Sequence, residues 1–411
     1  MSELLDRGRN RLEWARAHMD VLAAIRKDLV KSRAFRGLRV GMALHVEAKT
    51  GVLALTLKEA GAQVRLASCN PLSTDDAVVA ALRDEGLETY AKKWETNEEY
   101  DENLHHVLDL RPNLVIDDGA DLIFRLHTKR RELLPDVVGA NEETTTGVHR
   151  VRAMEAAGKL RFPVFDVNDA MTKHLFDNRY GTGQSAIDGI LTATNLLLAG
   201  KRFIVAGYGW CGRGVAMRAH GMGAHVLVTE VDPIKAIEAK LDGFEVLRMV
   251  DAARDADFIV TATGDRDVVT AEHLHAIKDG CVLANAGHFN VEVSMEDLER
   301  HATRKRRVRE YVDEYALRGG KKVYVLGEGR LINLAAGQGH PVEIMDMSFS
   351  IQALCAQILA REGKGMEPRV YAVPRETDER VARLWLKAAG VPTDKLSAAQ
   401  RKYLASWTEG T

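Results

Sequence analysis

Cysteine is scarce in this chain. Its 411 residues include four, Cys69, Cys211, Cys281 and Cys355, far apart and with no C-x-x-C pair. That spacing excludes a disulfide framework, and the four read as free thiols of a reducing cytoplasm. No metal site is expected. Net charge is lacking too. Lys and Arg total 57 against 59 Asp and Glu, a formal charge of −2. No global field therefore recruits nucleic acid or an anionic membrane. The N-terminal stretch has no apolar run of signal-peptide length, and no stretch approaches the apolar length of a membrane span. A soluble cytoplasmic protein is expected, with neither nucleic acid nor membrane as partner. Internal repeats and low-complexity linkers are also missing. What is present is an ordinary globular composition, 46% hydrophobic and 28% charged, in a chain long enough for two real cores.

Residues 1–30 keep helical spacing of Leu4, Leu5, Leu12, Trp14, Met19, Leu22 and Ile25, which predicts one amphipathic helix. Strand and helix patterns then alternate, with strands expected over 38–45, 63–70, 113–121 and 162–169. A second series follows a loop and long helix at 181–201, with strands expected over 202–207, 225–230, 244–249, 257–264, 281–287 and 322–329. The fold class is α/β: two doubly wound domains, the second a complete Rossmann domain, plus a small C-terminal helical segment. The boundaries are 1–180 for the first domain, completed by about 345–380, then 181–344, then 381–411.

"FIVAGYGWCGRG" places Gly207, Gly209 and Gly212 in G-x-G-x-x-G register between an apolar strand and a helix. Gly207 permits the tight turn, Gly209 lets backbone approach a pyrophosphate, and Gly212 packs helix on strand. The helix N-terminus offers free N–H groups to phosphates. Glu230, at the end of the next strand, suits ribose hydroxyls and repels a 2′-phosphate, which favours NAD over NADP. "TATG" with Thr263, and "NAGH" with Asn285 and His288, fall at later strand ends.

Polar groups gather at the strand ends of the first domain as well: Asp117, Asp118 and Asp121; Glu142, Glu143 and Thr144, Thr145 and Thr146; Asn168, Asp169, Lys173, Asp177 and Asn178. Singly, these read as capped turns, an N-cap and a solvated i, i+4 pair. Across a cleft from a nicotinamide site, they read as a polar substrate pocket. The isolated basic run "HATRKRRVRE" at 301–310 reads as a solvated face.

"DDGAD", "NEETTTGVHR", "VNDAMTKHLFDNRYG", "AGYGWCGRG", "NAGHFNVE", "EGRLINLAAGQGHP" and "DKLSAAQRKYL" together resemble, in order and over nearly the whole chain, the S-adenosyl-L-homocysteine hydrolase family. The resemblance implies tightly bound NAD that is regenerated each turnover. The substrate's 3′-hydroxyl is oxidised, the C4′ proton becomes acidic, homocysteine thiolate leaves C5′ by β-elimination, water adds, and the ketone is reduced again. It implies Lys173 as base for the 3′-hydroxyl, through a relay or a pKa depressed by desolvation. Asp177 and Glu143 become the ribose-binding acids, Asp118 the C4′ proton acceptor, and His45 and His288 the groups near C5′. Thr144, Thr145, Thr146, Asn178 and Asn333 become NAD contacts, and Asn285 lies near the carboxamide. His340 faces the purine, beside Thr50 and Met345. A homotetramer with exchanged C-terminal segments is implied.

Three departures matter. The best-known members have threonine and glutamate where this chain has Glu47 and Lys49, cysteine where it has Thr182, and a lysine- and tyrosine-bearing tail beyond its last residue. The last implies NAD held less tightly or by other contacts. Lysine carries donors only, so at position 49 it opposes adenine's 6-amino group and suits hypoxanthine's oxygen. S-inosyl-L-homocysteine is thus a rival substrate. The alternative is that Lys49 pairs with Glu47 or turns to solvent, leaving adenine to backbone groups.

Overall fold

The computed structural model describes residues 2–408. Its first sheet uses β1 (Arg39–Ala43), β2 (Gln63–Ala67), β3 (Glu88–Tyr90), β4 (Leu114–Asp117), β5 (Gly139–Glu142) and β6 (Val164–Asp166). The second uses β7 (Arg202–Ala206), β8 (His225–Thr229), β9 (Glu245–Val246), β10 (Phe258–Thr261), β11 (Cys281–Asn285), β12 (Ala302–Arg309), β13 (Val312–Leu317) and β14 (Lys322–Leu326). The chain then returns to add β15 (Val370–Ala372) to the first sheet.

The first sheet is parallel throughout, in the order β15-β6-β5-β4-β1-β2-β3. The second runs β12-β13-β14-β11-β10-β7-β8-β9, with its outer hairpin β12–β13 antiparallel. Each sheet has a switch point where strand order reverses, between β1 and β4 and between β7 and β10. The paired ends there are Ala43 with Asp117 and Ala206 with Thr261. Open α/β sheets bind ligands outside the carboxyl ends at such points.

The strands are apolar because helices cover both faces. Val40, Met42, Leu114, Val115 and Ile116 are fully buried in the first sheet, as are Phe203, Ile204, Val205 and Val260 in the second.

The structure corrects several expectations. The N-terminal stretch is two helices, Ser2–Ala17 and Asp20–Ser32, separated where Met19 leaves helical geometry (φ −115°, ψ 62°). β3, β5 and the β12–β13 hairpin lie where no strand was expected. The basic run is a solvated face as expected, but it is built as the edge strand β12, with Arg304 and Arg306 paired to Glu314 and Arg307 to Asp313 on β13. A charged edge resists pairing with a second chain. The expected boundary at 381 falls inside helix Arg375–Ala388, and Val381 is buried in the first core. The exposed tail begins after that helix, and residues 409–411 of the expected segment lie outside the described residues, as does Met1 of the first domain. One helix, Val342–Gly365, is after all long and apolar enough to cross a membrane by length and composition. It is apolar because it is a core helix: Ile351, Ala353, Cys355 and Ala356 are fully buried in the first domain.

Candidate functional site

The two sheets face each other across a cleft with about 780 Å3 of empty space. The first wall is the β1–β4 switch point. His45 follows β1, Asp118 follows β4, and Cys69 follows β2. His45 Nε2 lies 3.3 Å from Asp118 Oδ2, and its Nδ1 lies 2.8 Å from Ser73 Oγ. Glu142, at the end of β5, accepts from the backbone N–H of Gly119 (2.8 Å) and Thr144 (3.0 Å), which fixes the two loops relative to each other.

His288 enters from the second domain and places Nδ1 3.4 Å from Asp118 Oδ1. Gly119 makes room for it. Its φ is +92°, and a Cβ there would collide with His288 Nε2.

The second cluster sits on an unusual helix. His174–Gly181 is π-helical, so its wider turn brings Asn178 as well as Asp177 onto the side of Lys173. Lys173 Nζ donates to Asn178 Oδ1 (2.7 Å) and lies 3.3 Å from Asp177 and 3.4 Å from Glu143. Ser348 donates to Asp177 (2.6 Å) and Gln352 to Glu143 (2.6 Å), both from the returning helix. His340 Nδ1 lies 2.9 Å from Asp177. All three charged groups of this cluster are buried.

Burial alone would lower the Lys173 pKa, as desolvation favours the neutral amine. Asp177, Glu143 and Asp118 outweigh it and raise the pKa. The expectation of a lysine depressed by desolvation is therefore wrong for the free protein. Burial likewise acts to raise Asp177, but Lys173 and His340 hold it well below the usual carboxylate range. Burial pushes Glu143 up to about 7, against the pull of Lys173. Burial pushes His45 down to about 4, against the pull of Asp118.

In the second domain, Gly207 has φ +95°, and a Cβ on Gly212 would collide with the Gly207 carbonyl oxygen. A Cβ on Gly209 would meet nothing within 4 Å. Helix Trp210–Gly221 has no side-chain cap, so its first N–H groups are unpartnered by a capping side chain. Glu230 is held beside this loop by the backbone N–H groups of Tyr208 (2.6 Å), Val231 (2.7 Å) and Asp232 (3.0 Å).

A family model described as S-adenosyl-L-homocysteine hydrolase matches residues 2–133, and one described as its NAD-binding domain matches residues 178–339. The chain belongs to the S-adenosyl-L-homocysteine hydrolase family. The S-inosyl-L-homocysteine hydrolase of Methanocaldococcus jannaschii is 57% identical over 98% of this chain and 97% of its own length. The adenosylhomocysteinase of Thermoplasma volcanium is 58% identical over 98% of each chain. In fold alone, the chain is similar to a dipicolinate synthase from Bacillus halodurans (TM-score 0.50, 14% identity, covering 80% of this chain and all of that one).

The family's cofactor is NAD, and the residues present fit it. The open side of Gly209, the uncapped helix start and the carboxylate of Glu230 are what a pyrophosphate and a ribose diol require.

Not every expected residue reaches the cleft. Glu47, Thr50, Thr144, Thr145, Asn178, Asn333 and Met345 line it, but Lys49, Thr146, Thr263 and Asn285 do not, nor do Gly207, Gly209, Gly212 and Glu230 of the dinucleotide loop. Asn285 is spent on loops: its Nδ2 donates to the carbonyls of Gly287, Phe289 and Gly329, and its Oδ1 accepts from Gly287 N. It shapes the turn that carries His288 rather than standing at a carboxamide. Thr263 is held by Glu292 through both its N–H (2.9 Å) and its hydroxyl (2.7 Å). Lys49 pairs with Glu47 at 2.9 Å and donates to the carbonyl of Gln338 at 3.0 Å. In the ligand-free protein Lys49 thus follows the alternative to a hypoxanthine contact, the pair with Glu47.

Two residues were missed. Glu292 is a buried acid in the stretch "NAGHFNVE", recognisable only once its turn is folded. Cys211, inside the glycine motif, lines the cleft and lies 3.5 Å from Thr182 Oγ1. A thiol thus stands beside the position where the best-known members carry theirs.

Proposed function

We propose that the protein reversibly hydrolyses S-adenosyl-L-homocysteine to adenosine and L-homocysteine. One observation carries the reading: the Lys173–Asp177–Glu143 cluster and the His45–Asp118–His288 cluster share one cleft beside the dinucleotide loop. NAD, when bound, supplies reversible oxidation at the ribose 3′ carbon. Asp177 and Glu143 accept the ribose hydroxyls. Lys173 takes the 3′-hydroxyl proton as its own is relayed away, and Glu143, 3.4 Å from Nζ, is a carboxylate within reach of that relay. Asp118 takes the C4′ proton. His288 protonates the departing thiolate, and His45, neutral at pH 7, activates the incoming water. The test is thiol release on adding the thioether to NAD-loaded protein. Release without net NADH supports this reading, and stoichiometric NADH accumulation overturns it in favour of a simple dehydrogenase.

S-inosyl-L-homocysteine is the second reading. It requires Lys49 Nζ, which donates to Gln338 on the turn expected to close over the purine, to leave its pair with Glu47 when the nucleoside binds. A homotetramer is supported by helix Ala398–Leu404, which buries none of its residues and exposes Tyr403 and Leu404, with Trp407 just beyond. A cytoplasmic location is supported by free thiols at Cys69, Cys211, Cys281 and Cys355.

A further inference from the structure

Three loops leave the carboxyl ends of the adjacent strands β1, β2 and β4, and they bring His45, Cys69 and Asp118 together. Asp118 Oδ2 lies 3.3 Å from His45 Nε2 and 3.6 Å from Cys69 Sγ. Cys69 Sγ lies 3.2 Å from His45 Nδ1. One donor atom from each residue falls within 4.8 Å of the other two. A tetrahedral ion with bonds of about 2.0–2.3 Å sets its ligand atoms roughly 3.3–3.7 Å apart; the two separations from Asp118 Oδ2 match that spacing, and a small turn of the His45 ring and Cys69 side chain closes the third side.

The donors are one imidazole nitrogen, one sulfur and one carboxylate oxygen, the mixture that suits Zn2+ and its spectroscopic substitute Co2+ rather than Mg2+ or Ca2+. A second observation points the same way. Asp118 Oδ1 is buried with no hydrogen-bond partner, although His288 Nδ1 stands 3.4 Å away. The carboxylate is therefore not saturated by its protein neighbours. Ser73 Oγ, 2.8 Å from His45 Nδ1, would orient the ring when Nε2 binds the ion. His45 and Asp118 line the cleft and Cys69 stands behind them, so the fourth position opens to solvent or substrate.

We propose that His45, Cys69 and Asp118 form an inhibitory site for a zinc-class divalent ion. Coordination converts the Cys69 thiol to a thiolate and releases its proton to solvent. The ion occupies the imidazole and carboxylate that turnover needs, so it competes with the nucleoside thioether. This inhibition rests on the roles given to His45 and Asp118 above, whereas the site itself rests only on the geometry.

The test adds Co2+ to the NAD-loaded protein and reads the thiolate-to-cobalt charge-transfer absorption, alongside Zn2+ inhibition of thiol release. Wild type takes up one Co2+ with the band, and saturating substrate displaces it. Cys69→Ser and Cys69→Ala, each confirmed to retain NAD, lose the band and need more than about tenfold more Zn2+ for half-inhibition. Cys211→Ser keeps the band. A band that survives both Cys69 variants, or wild type that shows none, overturns the site. A Cys69-dependent band without inhibition upholds the site and refutes the catalytic roles of His45 and Asp118 instead.

Discussion

Exchanging the charges at positions 47 and 49 separates the two substrate readings, provided both positions change together. Lys49 and Glu47 form a 2.9 Å pair whose side chains are only 10% and 14% exposed. Glu47 also caps helix Ala48–Glu59 by accepting from the N–H groups of Lys49 (3.0 Å) and Thr50 (3.2 Å). Lys49→Glu alone therefore leaves Glu47 without its cation and sets a second carboxylate beside it. Breaking a buried pair in this way costs about 3–5 kcal/mol. In the double variant Glu47→Thr, Lys49→Glu, the threonine hydroxyl keeps the cap at a cost below about 1 kcal/mol, and the like charge disappears. Chemical denaturation should then find the double variant more stable than Lys49→Glu by roughly 2 kcal/mol or more. The new acceptor favours adenine's amino group over hypoxanthine's oxygen. A donor–acceptor mismatch of about 1–3 kcal/mol corresponds to roughly 5- to 150-fold in kcat/KM. Steady-state kinetics with both thioethers measures the ratio. A stable, NAD-loaded double variant whose adenosyl-to-inosyl ratio stays within about twofold of wild type refutes the assignment of this edge to the purine.

Lys173→Ala should lower kcat by about 10^2- to 10^4-fold while the protein retains NAD, checked by cofactor content after denaturation. Gly212→Ala pushes a Cβ into the carbonyl of Gly207, so bound NAD and thermal stability should both fall. His45 has a folded pKa near 4, below its unfolded value of 6.5. Between these values the unfolded chain binds the extra proton, so His45 costs stability progressively as pH falls from 6.5 towards 4, up to about 3 kcal/mol. Urea unfolding of wild type against His45→Asn should show the steeper loss in wild type, and equal slopes would contradict the assignment. Trp94 stacks on Tyr311 across the domains (5.9 Å, 10° between rings), and Lys93 donates to Tyr311 OH and Ala335 O. Trp94→Ala should enlarge the small-angle scattering radius of the substrate-free protein while leaving each domain's circular dichroism unchanged.

The strand ends carried most of what sequence could tell. An apolar run that stops at a polar residue marks the carboxyl edge of a parallel strand. This is how His45, Asp118 and Gly207 were legible as neighbours of a crevice. The β12–β13 hairpin was not legible, because its charges mask the alternation: seven of the eight β12 positions are exposed. The π-helix was hidden as well. Lys173 and Asp177 fit an ordinary i, i+4 pair, and nothing local announces the wider turn that adds Asn178. Asn285 stood at the right strand end but in the wrong role, since motif position does not say where an amide's hydrogen bonds go. The Lys173 pKa depended on a competition between burial and charge; both the burial and the Asp177 partner were legible, but the distances that fix the sign were not.

The cleft is assembled from both domains, and its parts constrain each other. Gly119 belongs to the first domain, but its missing side chain is filled by His288 of the second. Lys49 of the first domain holds the carbonyl of Gln338, and His340 two residues later holds Asp177. In the free protein, then, the histidine of the purine-side turn occupies a carboxylate proposed to bind the ribose. A nucleoside entering the cleft must exchange its hydroxyl for that imidazole, while its purine takes the space the turn vacates. Removing the His340 contact from Asp177 strips away one of the groups that keep this carboxylate ionised. Lys173, already its largest cationic partner, is then left to hold that carboxylate without the imidazole as the 3′-hydroxyl arrives. The lysine's readiness to accept a proton therefore depends on where its own proton goes. Glu143, 3.4 Å away, is a carboxylate within reach of it.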